Sequence, residues 1–422
     1  MNKSIYDIKK ISNNKNYIVF LIFSLYLSLL IGFLLNENST GGAFQDYINQ
    51  KGVSKSFAKD FFNSFFEYDK FRTRHSPIVP IFFSFFEKLQ IDDFYIRLIS
   101  IHIGLVLPFI FFKNLQLKFK NINLLYLWAI SGLIFLSPTY RSLFIWPDSR
   151  IYGLIFFLIS IFFYLKIFEE IKFSYAIYST IFYSIASYIS LNFALFSIFF
   201  FLHFIKIFNY DLKKIIILIL INILLSLPFF AYLLSLDNIF FLKSAVPGNE
   251  FETIDVFNIS NKILIISSII LFYFVPFFIL KIVNIDWKNK LNLILSLFFL
   301  IIFYFSFNYN YEWTGGGIFY KFSNLILGNN WFFFIVVFFS FIIIFDISKK
   351  DNNNILLLLI LFLSNPQLTI YHKYYDPLLL IMILLLFNLN INKQKLFNFK
   401  NIFFFYMFFL SFLVISWVKL II

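Results

Sequence analysis

The chain contains no cysteine and only four histidines. Without cysteine it has no thiol chemistry and no disulfide-linked partner. The histidines, His75, His102, His203 and His372, are scattered, and no pair has the spacing of zinc ligands. The sequence therefore predicts no zinc site and no particular cofactor, although a divalent metal stays open.

Charge is also scarce, at 14% of the residues, whereas 60% are hydrophobic and the mean hydropathy is +0.83. A soluble core cannot absorb that much apolar surface, so we expect an all-α, polytopic membrane protein. Apolar runs of about 17 to 22 residues, each able to cross a bilayer core as a helix, predict about thirteen transmembrane helices. They lie near 17–35, 94–112, 122–138, 151–168, 173–190, 191–208, 215–235, 263–282, 291–307, 331–347, 354–371, 375–391 and 401–420. We expect one transmembrane domain over 1–400, followed by a terminal helix in 401–422.

The distribution of lysine predicts the orientation. If the N-terminus is cytoplasmic, the loops on its side hold 20 basic and 7 acidic residues, and the other side holds 15 of each. Cytoplasmic loops are enriched in Lys and Arg, so this arrangement fits a bacterial inner-membrane protein with a cytoplasmic N-terminus. The basic balance then reflects topology and contact with membrane lipids, and nucleic acid is not an expected partner. The first apolar run, about 19 residues long, favours an uncleaved anchor over a cleaved signal peptide.

The first extracytoplasmic loop is predicted to span 36–93 and to contain surface helices. Residues 55–67 place five phenylalanines on one half of a helix and polar residues on the other, which is typical of a helix lying on the membrane. Residues 76–89 are apolar but too short to cross, so we expect a second surface helix or a shallow re-entrant segment.

Candidate site residues cluster on the predicted outer side. Asp46 follows the first span, and a carboxylate there can act as general base on an acceptor hydroxyl. A solvated loop aspartate is the plainer interpretation. Arg72, Arg74 and His75 form a cationic group suited to phosphate recognition, or to ordinary headgroup binding.

Arginine is rare, with five residues against 30 lysines, and all five lie between 72 and 150. Arg141, Asp148 and Arg150 fall in a short link between two spans, where they predict either a substrate-binding wall or a surface salt bridge beside interfacial aromatics. Near the C-terminus, the turn YHKYYDP adds Lys373 and Asp376, and Lys373 is a further candidate for substrate binding.

In this order, these pieces resemble the GT-C class of membrane glycosyltransferases, which includes protein O-mannosyltransferases and the transferases that add aminoarabinose to lipid A. The features of that class are an acidic residue in the first outer loop, surface helices, and an H-P-P-L type motif. A segment of the form S-E-x-A-x-R follows, and then L-S-P, an arginine and P-D. Their counterparts are Asp46, 55–67, His75 to Ile78, Asp92 to Arg97, Leu136 to Pro138, Arg141, and Pro147 with Asp148.

The resemblance covers roughly residues 17–170. It implies a glycosyltransferase that takes a sugar from a polyprenyl-phosphate donor and passes it to a lipid, glycan or protein acceptor at the extracytoplasmic face. Asp46 would serve as the base and the arginines would neutralise the leaving phosphate. This chain departs from the class at Tyr47, where a second acid is common, and at Ser76, which replaces a proline.

Two other classes stay open. A polysaccharide polymerase or ligase of the O-antigen type is also polytopic with outer arginines, but it would have its large loop late in the chain. A non-enzymatic transporter or flippase would need a polar path through the spans, where the sequence offers little beyond prolines at 108, 228 and 276.

Overall fold

The fold is described by a computed structural model covering residues 2–73, 75–237, 259–310, 315–365, 367 and 369–418, with side chains from residue 16 to 417. All the regular elements of this part are helical. The N-terminal half contains α1 (Asn2–Leu34), α2 (Ala43–Lys59), α3 (Phe61–Phe66), α4 (Ile78–Lys88), α5 (Asp93–Gly104), α6 (Val106–Lys118), α7 (Leu124–Gly132), α8 (Pro138–Ile145), α9 (Ser149–Ile167) and α10 (Phe173–Ile189).

The second half contains α11 (Phe196–Ile207), α12 (Leu212–Leu234), α13 (Ile259–Ile279), α14 (Lys290–Phe305), α15 (Gly317–Leu327), α16 (Trp331–Lys350), α17 (Asn352–Leu363), α18 (Leu378–Leu385), α19 (Lys393–Leu396) and α20 (Phe399–Val418). Short 3₁₀ turns occur at Tyr68–Phe71, Leu133–Leu136, Leu191–Phe193 and His372–Tyr374.

Seven helical segments within the described residues are long and apolar enough to cross a membrane. They are Asn16–Leu34, Asp93–Lys118, Ser149–Ile167, Leu212–Leu234, Ile259–Ile279, Trp331–Lys350 and Phe399–Trp417. The protein is therefore a helical membrane protein, and a count of thirteen crossings stays a prediction. The other predicted spans contain shorter helices, such as the 12 residues of α17 and the 8 residues of α18.

Many helices start at an Asp, Asn or Ser whose side chain accepts a backbone N–H of the first turn, which satisfies a donor that has no partner inside the helix. These caps are Asp60, Asp92, Asn123, Ser137, Asp148, Asp211, Asn289, Asp351 and Asn392. Several of the chain's few carboxylates are thus used to begin helices at the ends of the bundle.

The predicted surface helix over 55–67 is in fact two helices. Asp60 ends α2 in extended backbone and caps α3, so the chain turns there. Phe57 is fully buried against Val53, Tyr68 and Leu236. Phe62 and Phe66 are exposed, as expected for side chains that face lipid. The helix predicted in 76–89 is confirmed as α4, which packs along α2.

The loops of the described chain gather at two ends of the bundle. At one end Lys120 pairs with Glu169, Lys206 contacts Asn353, and Lys395 donates to the Lys281 carbonyl. We call the opposite end the α2 end, because α2, α3 and α4 lie there. These contacts join loops that the lysine distribution predicts on one side, while the alternation of all thirteen predicted spans stays a prediction.

The terminal helix α20 belongs to the same bundle. It packs against α7, α8 and α13, and the Tyr406 hydroxyl donates to the Ala129 carbonyl at 2.8 Å. By contrast, α12 has only one buried residue, Leu218, and packs mainly against α10, so much of its apolar surface is exposed, as expected for a helix at the lipid-facing edge of the bundle.

Candidate functional site

At the α2 end, an ion pair joins the first third of the chain to its C-terminal part. The Lys373 ammonium lies 2.6 Å from Oδ2 of Asp46, and the two side chains are 9% and 25% exposed. Asp46 sits in the first turn of α2, and Lys373 lies in the 3₁₀ turn between α17 and α18. Two residues that the sequence marks separately are therefore in direct contact.

The charge of Asp46 is governed by its neighbours. Burial alone would raise the pKa of this carboxyl. The positive charge and hydrogen bond of Lys373, with the charges of His75 and Arg150, outweigh burial and hold the pKa below its usual value of 3.8. Asp46 is therefore ionised at neutral pH.

Arg150 and His75 lie next to this pair. The Arg150 guanidinium stacks over the Tyr374 ring at 4.1 Å, and Tyr374 is the residue after Lys373. The His75 Nδ1 lies 3.2 Å from the Ser149 hydroxyl, at the start of α9. Three cationic or potentially cationic groups, Lys373, His75 and Arg150, thus surround one carboxylate.

A small polar cleft of about 40 Å³ opens beside these residues. It is lined by His75, Ser76, Ser149, Arg150, Ile189, Ser190, Leu191, Asn192 and Gln367. One nitrogen of Arg150, Nη1, is buried there and makes no hydrogen bond within the described structure. A buried guanidinium nitrogen of this kind favours an anion or another acceptor as ligand.

Asp148, which the sequence predicts to bind substrate, lies inside the fold. Its side chain is fully buried, accepts the Arg150 backbone N–H at 2.8 Å and accepts from the Gln50 amide at 3.3 Å. It therefore caps α9 and ties it to α2. The residue fixes the position of Ser149 and Arg150 and does not line the cleft.

Arg141, also predicted to bind substrate, forms a buried ion pair with Glu37. The Arg141 Nη2 lies 2.6 Å from Glu37 Oε2, and the two side chains are only 4% and 1% exposed. Further bonds from the guanidinium go to the Ser28 hydroxyl and carbonyl. The pair joins α8 to the residue stretch after α1, so Arg141 makes a buried ion pair with a residue outside the 140–150 link and not the surface salt bridge considered from the sequence.

The remaining predicted cations contribute less. Arg72 is exposed in left-handed backbone at the end of the Tyr68–Phe71 turn, and it does not line the cleft. Arg74 lies outside the described residues.

A second carboxylate, Asp376, holds the turn that carries Lys373. Its Oδ2 accepts from the Ser137 hydroxyl at 2.7 Å and from the Thr139 N–H at 3.0 Å, while Oδ1 accepts from the Tyr273 hydroxyl at 2.7 Å. The side chain is buried. Asp376 thus fastens the 371–377 turn to α8 and α13.

Sequence reasoning missed Ser190, Asn192 and Gln367 as cleft residues. All three fall inside the runs predicted as spans, at 173–190, 191–208 and 354–371. In the structure α10 ends at Ile189 and α17 at Leu363, so these polar residues lie beyond the helix ends. In the sequence, Ser190 and Asn192 lie at the border of two adjoining apolar runs and Gln367 lies inside a single run, so hydropathy alone does not single them out.

Over the part of the chain that the structure describes, no three His, Asp or Glu side chains come together as metal ligands. No protein-family model, curated protein or solved structure matches the chain.

Proposed function

We propose that the protein is a membrane glycosyltransferase that moves a sugar from a polyprenyl-phosphate donor to a hydroxyl acceptor at the extracytoplasmic face. One observation carries the proposal. Asp46 lies beside a polar cleft at the α2 end, and its neighbours are Lys373, His75 and Arg150. A carboxylate next to a cationic wall suits a reaction in which a hydroxyl loses a proton and a phosphate leaves.

In the proposed reaction, Asp46 takes the proton of the acceptor hydroxyl. Lys373 contacts Oδ2, and Oδ1 accepts no hydrogen bond from the described side chains, so Oδ1 is the oxygen that takes this proton. The acceptor oxygen forms the new bond to the anomeric carbon. The bond from that carbon to the phosphate oxygen breaks, and the lipid phosphate leaves with the electron pair.

The Asp46–Lys373 ion pair also links binding of the donor to the basicity of the Asp46 carboxylate. While Lys373 holds Asp46, the carboxylate is a weak base because its pKa is low. A donor phosphate competes for Lys373, and loss of that counter-ion raises the pKa of Asp46. The base then becomes stronger only when a leaving group is bound.

The Asp46→Asn variant tests this function. In membranes supplied with polyprenyl-phosphate sugars, we expect loss of transfer at unchanged protein level, because the amide cannot accept the proton. The matched control is Glu67→Gln, which removes a carboxylate of the same loop whose ion pair with Lys70 is exposed. Full transfer by Asp46→Asn would contradict the mechanism.

A further inference from the structure

The cleft has two chemically different walls. One wall is formed by His75 and Ser76 and by the first residues of α9, Ser149 and Arg150. The other wall is the link between α10 and α11, which contributes Ser190, Leu191 and Asn192, and Gln367 lies at the same cleft. The first wall carries the positive charge, and the second is polar but uncharged.

Several polar groups of the uncharged wall have hydrogen-bonding capacity that the described protein does not use. Neither the Ser190 hydroxyl nor the Asn192 side-chain amide makes a hydrogen bond with the described part of the protein. Gln367 accepts from the Tyr374 hydroxyl at 2.6 Å through Oε1, which fixes its amide plane and leaves Nε2 without a described partner. Side-chain hydroxyls and amides of this kind both donate and accept, as hydroxyl ligands require.

Charge decides which ligand fits. The described residues that line the cleft include no Asp or Glu, and the buried Nη1 of Arg150 has no acceptor. The carboxylate beside the cleft, Asp46, is already paired with Lys373. An ammonium group placed in the cleft would therefore face Arg150 without an unpaired counter-ion, so a cationic ligand is disfavoured. A phosphate on the Arg150 side and neutral hydroxyls on the Ser190 side match the two walls.

We infer that Ser190, Asn192 and Gln367 bind the hydroxyl groups of the donor sugar, and that this sugar is neutral rather than an amino sugar. The inference rests on the proposed function and adds to it the class of sugar. With about 40 Å³ the cleft has room for a few water molecules, so it takes one edge of the ring and not the whole sugar.

We call the uncharged wall, formed by Ser190, Asn192 and Gln367, the sugar wall. A binding experiment tests it without relying on sugar transfer. The full-length protein in lipid nanodiscs is titrated with three probes of equal chain length: bare polyprenyl phosphate, polyprenyl phosphate carrying neutral pentoses or hexoses, and polyprenyl phosphate carrying aminoarabinose. The wild type should bind at least one neutral-sugar probe more tightly than both other probes. Asn192→Leu should weaken that probe by about three- to tenfold, as expected for a lost hydrogen bond, and leave the bare phosphate within about twofold.

Two further variants separate the walls. Arg150→Gln should weaken all the phosphate probes alike, and Ser190→Ala should act like Asn192→Leu. The matched control is Ser187→Ala, since that hydroxyl lies one turn earlier and donates to the Tyr183 carbonyl at 2.8 Å. Its affinities should equal those of the wild type.

The outcomes are distinct. Unchanged sugar preference in both Asn192→Leu and Ser190→Ala, or tighter binding of the aminoarabinose probe by the wild type, would overturn the sugar wall while leaving the proposed transferase intact. If the wild type binds no phosphate probe, the proposed function fails, and the sugar wall fails with it.

Discussion

At the scale of single residues, the α2 end contains two kinds of charged side chain. Some are partly exposed and accessible to a ligand, and others are buried in ion pairs within the fold. Asp46 and Lys373 are partly exposed and close to a cleft, whereas Glu37 and Arg141 are almost fully buried in their pair. Both are short ion pairs between an acid and a base, and burial is what distinguishes them. We expect pH and ligands to change the Asp46–Lys373 pair. We expect mutation of the Arg141–Glu37 pair to lower the free energy of unfolding.

The Asp46–Lys373 pair should show a defined pH dependence. Because the folded pKa of Asp46 lies below 3.8, its ionisation stabilises the fold at pH values above 3.8, and this stabilisation is lost as the pH falls through the folded pKa. The difference in unfolding midpoint between wild type and Asp46→Asn should thus persist from about pH 8 to pH 5 and disappear only below 3.8. Thermal unfolding in detergent over this pH series measures it. A difference that vanishes near neutral pH would contradict the assignment.

The buried Arg141–Glu37 pair should be sensitive to single changes. Arg141→Met leaves the Glu37 carboxylate buried without its cation, which costs about 3–5 kcal/mol of the free energy of unfolding. Adding Glu37→Gln removes the stranded charge, and the amide keeps an acceptor for the Ser39 hydroxyl. The double variant should therefore be more stable than Arg141→Met, as measured by unfolding in mixed micelles. Equal stability of the two would show that Glu37 is not stranded.

At the scale of elements, the 371–377 turn is held on both sides, by Lys373 to α2 and by Asp376 to α8 and α13. The turn connects two short helices, α17 and α18, which leave polar residues beyond their ends. The sequence predicts apolar runs at this place, but hydropathy averages over Gln367 and Asp376 and extends the runs across them. Contacts between residues 46 and 373 depend on how distant helices pack, so the local pattern cannot reveal them.

Removal of the Asp376 side chain should loosen this turn. Asp376→Ala strands the Ser137 hydroxyl, the Thr139 N–H and the Tyr273 hydroxyl in a buried place, and each stranded group costs about 1–3 kcal/mol. Hydrogen exchange of the 371–377 amides should rise strongly. Tyr273→Phe removes only one donor, so it should lose about 1 kcal/mol and exchange much less. Similar exchange in both variants would argue against Asp376 as the main fastening.

At the scale of the whole molecule, the loops of the described chain lie at two ends, and the assignment of these ends to the two sides of the membrane stays a prediction from the lysines. The helical membrane class and the positions of the long spans follow from hydropathy alone. The cleft does not, because its walls come from segments around residues 75, 150, 190 and 367. The split of 55–67 at Asp60 was also out of reach, since a capping aspartate resembles any other polar residue on the solvent face of a helix.

The orientation can be measured directly, since the absence of cysteine provides a clean background. Gln45 lies at the α2 end and Lys288 at the opposite end, and both are exposed. In intact cells, a membrane-impermeant maleimide should label Gln45→Cys but not Lys288→Cys, and permeabilisation should expose the second. The reverse pattern would place the α2 end in the cytoplasm. That outcome would contradict the proposed reaction, which takes place at the extracytoplasmic face.

Asp46 and Lys373 lie far apart in the sequence, and this separation has a consequence for biogenesis. A ribosome releases the N-terminal helices first, so the segment with Asp46 is made long before the segment after α17. The Arg141–Glu37 pair and the Asp148 cap can form within that early portion, whereas the Asp46 counter-ion arrives only near the end of synthesis. The nascent protein thus passes through a stage in which its scaffold is assembled and the proposed site still lacks the counter-ion of Asp46.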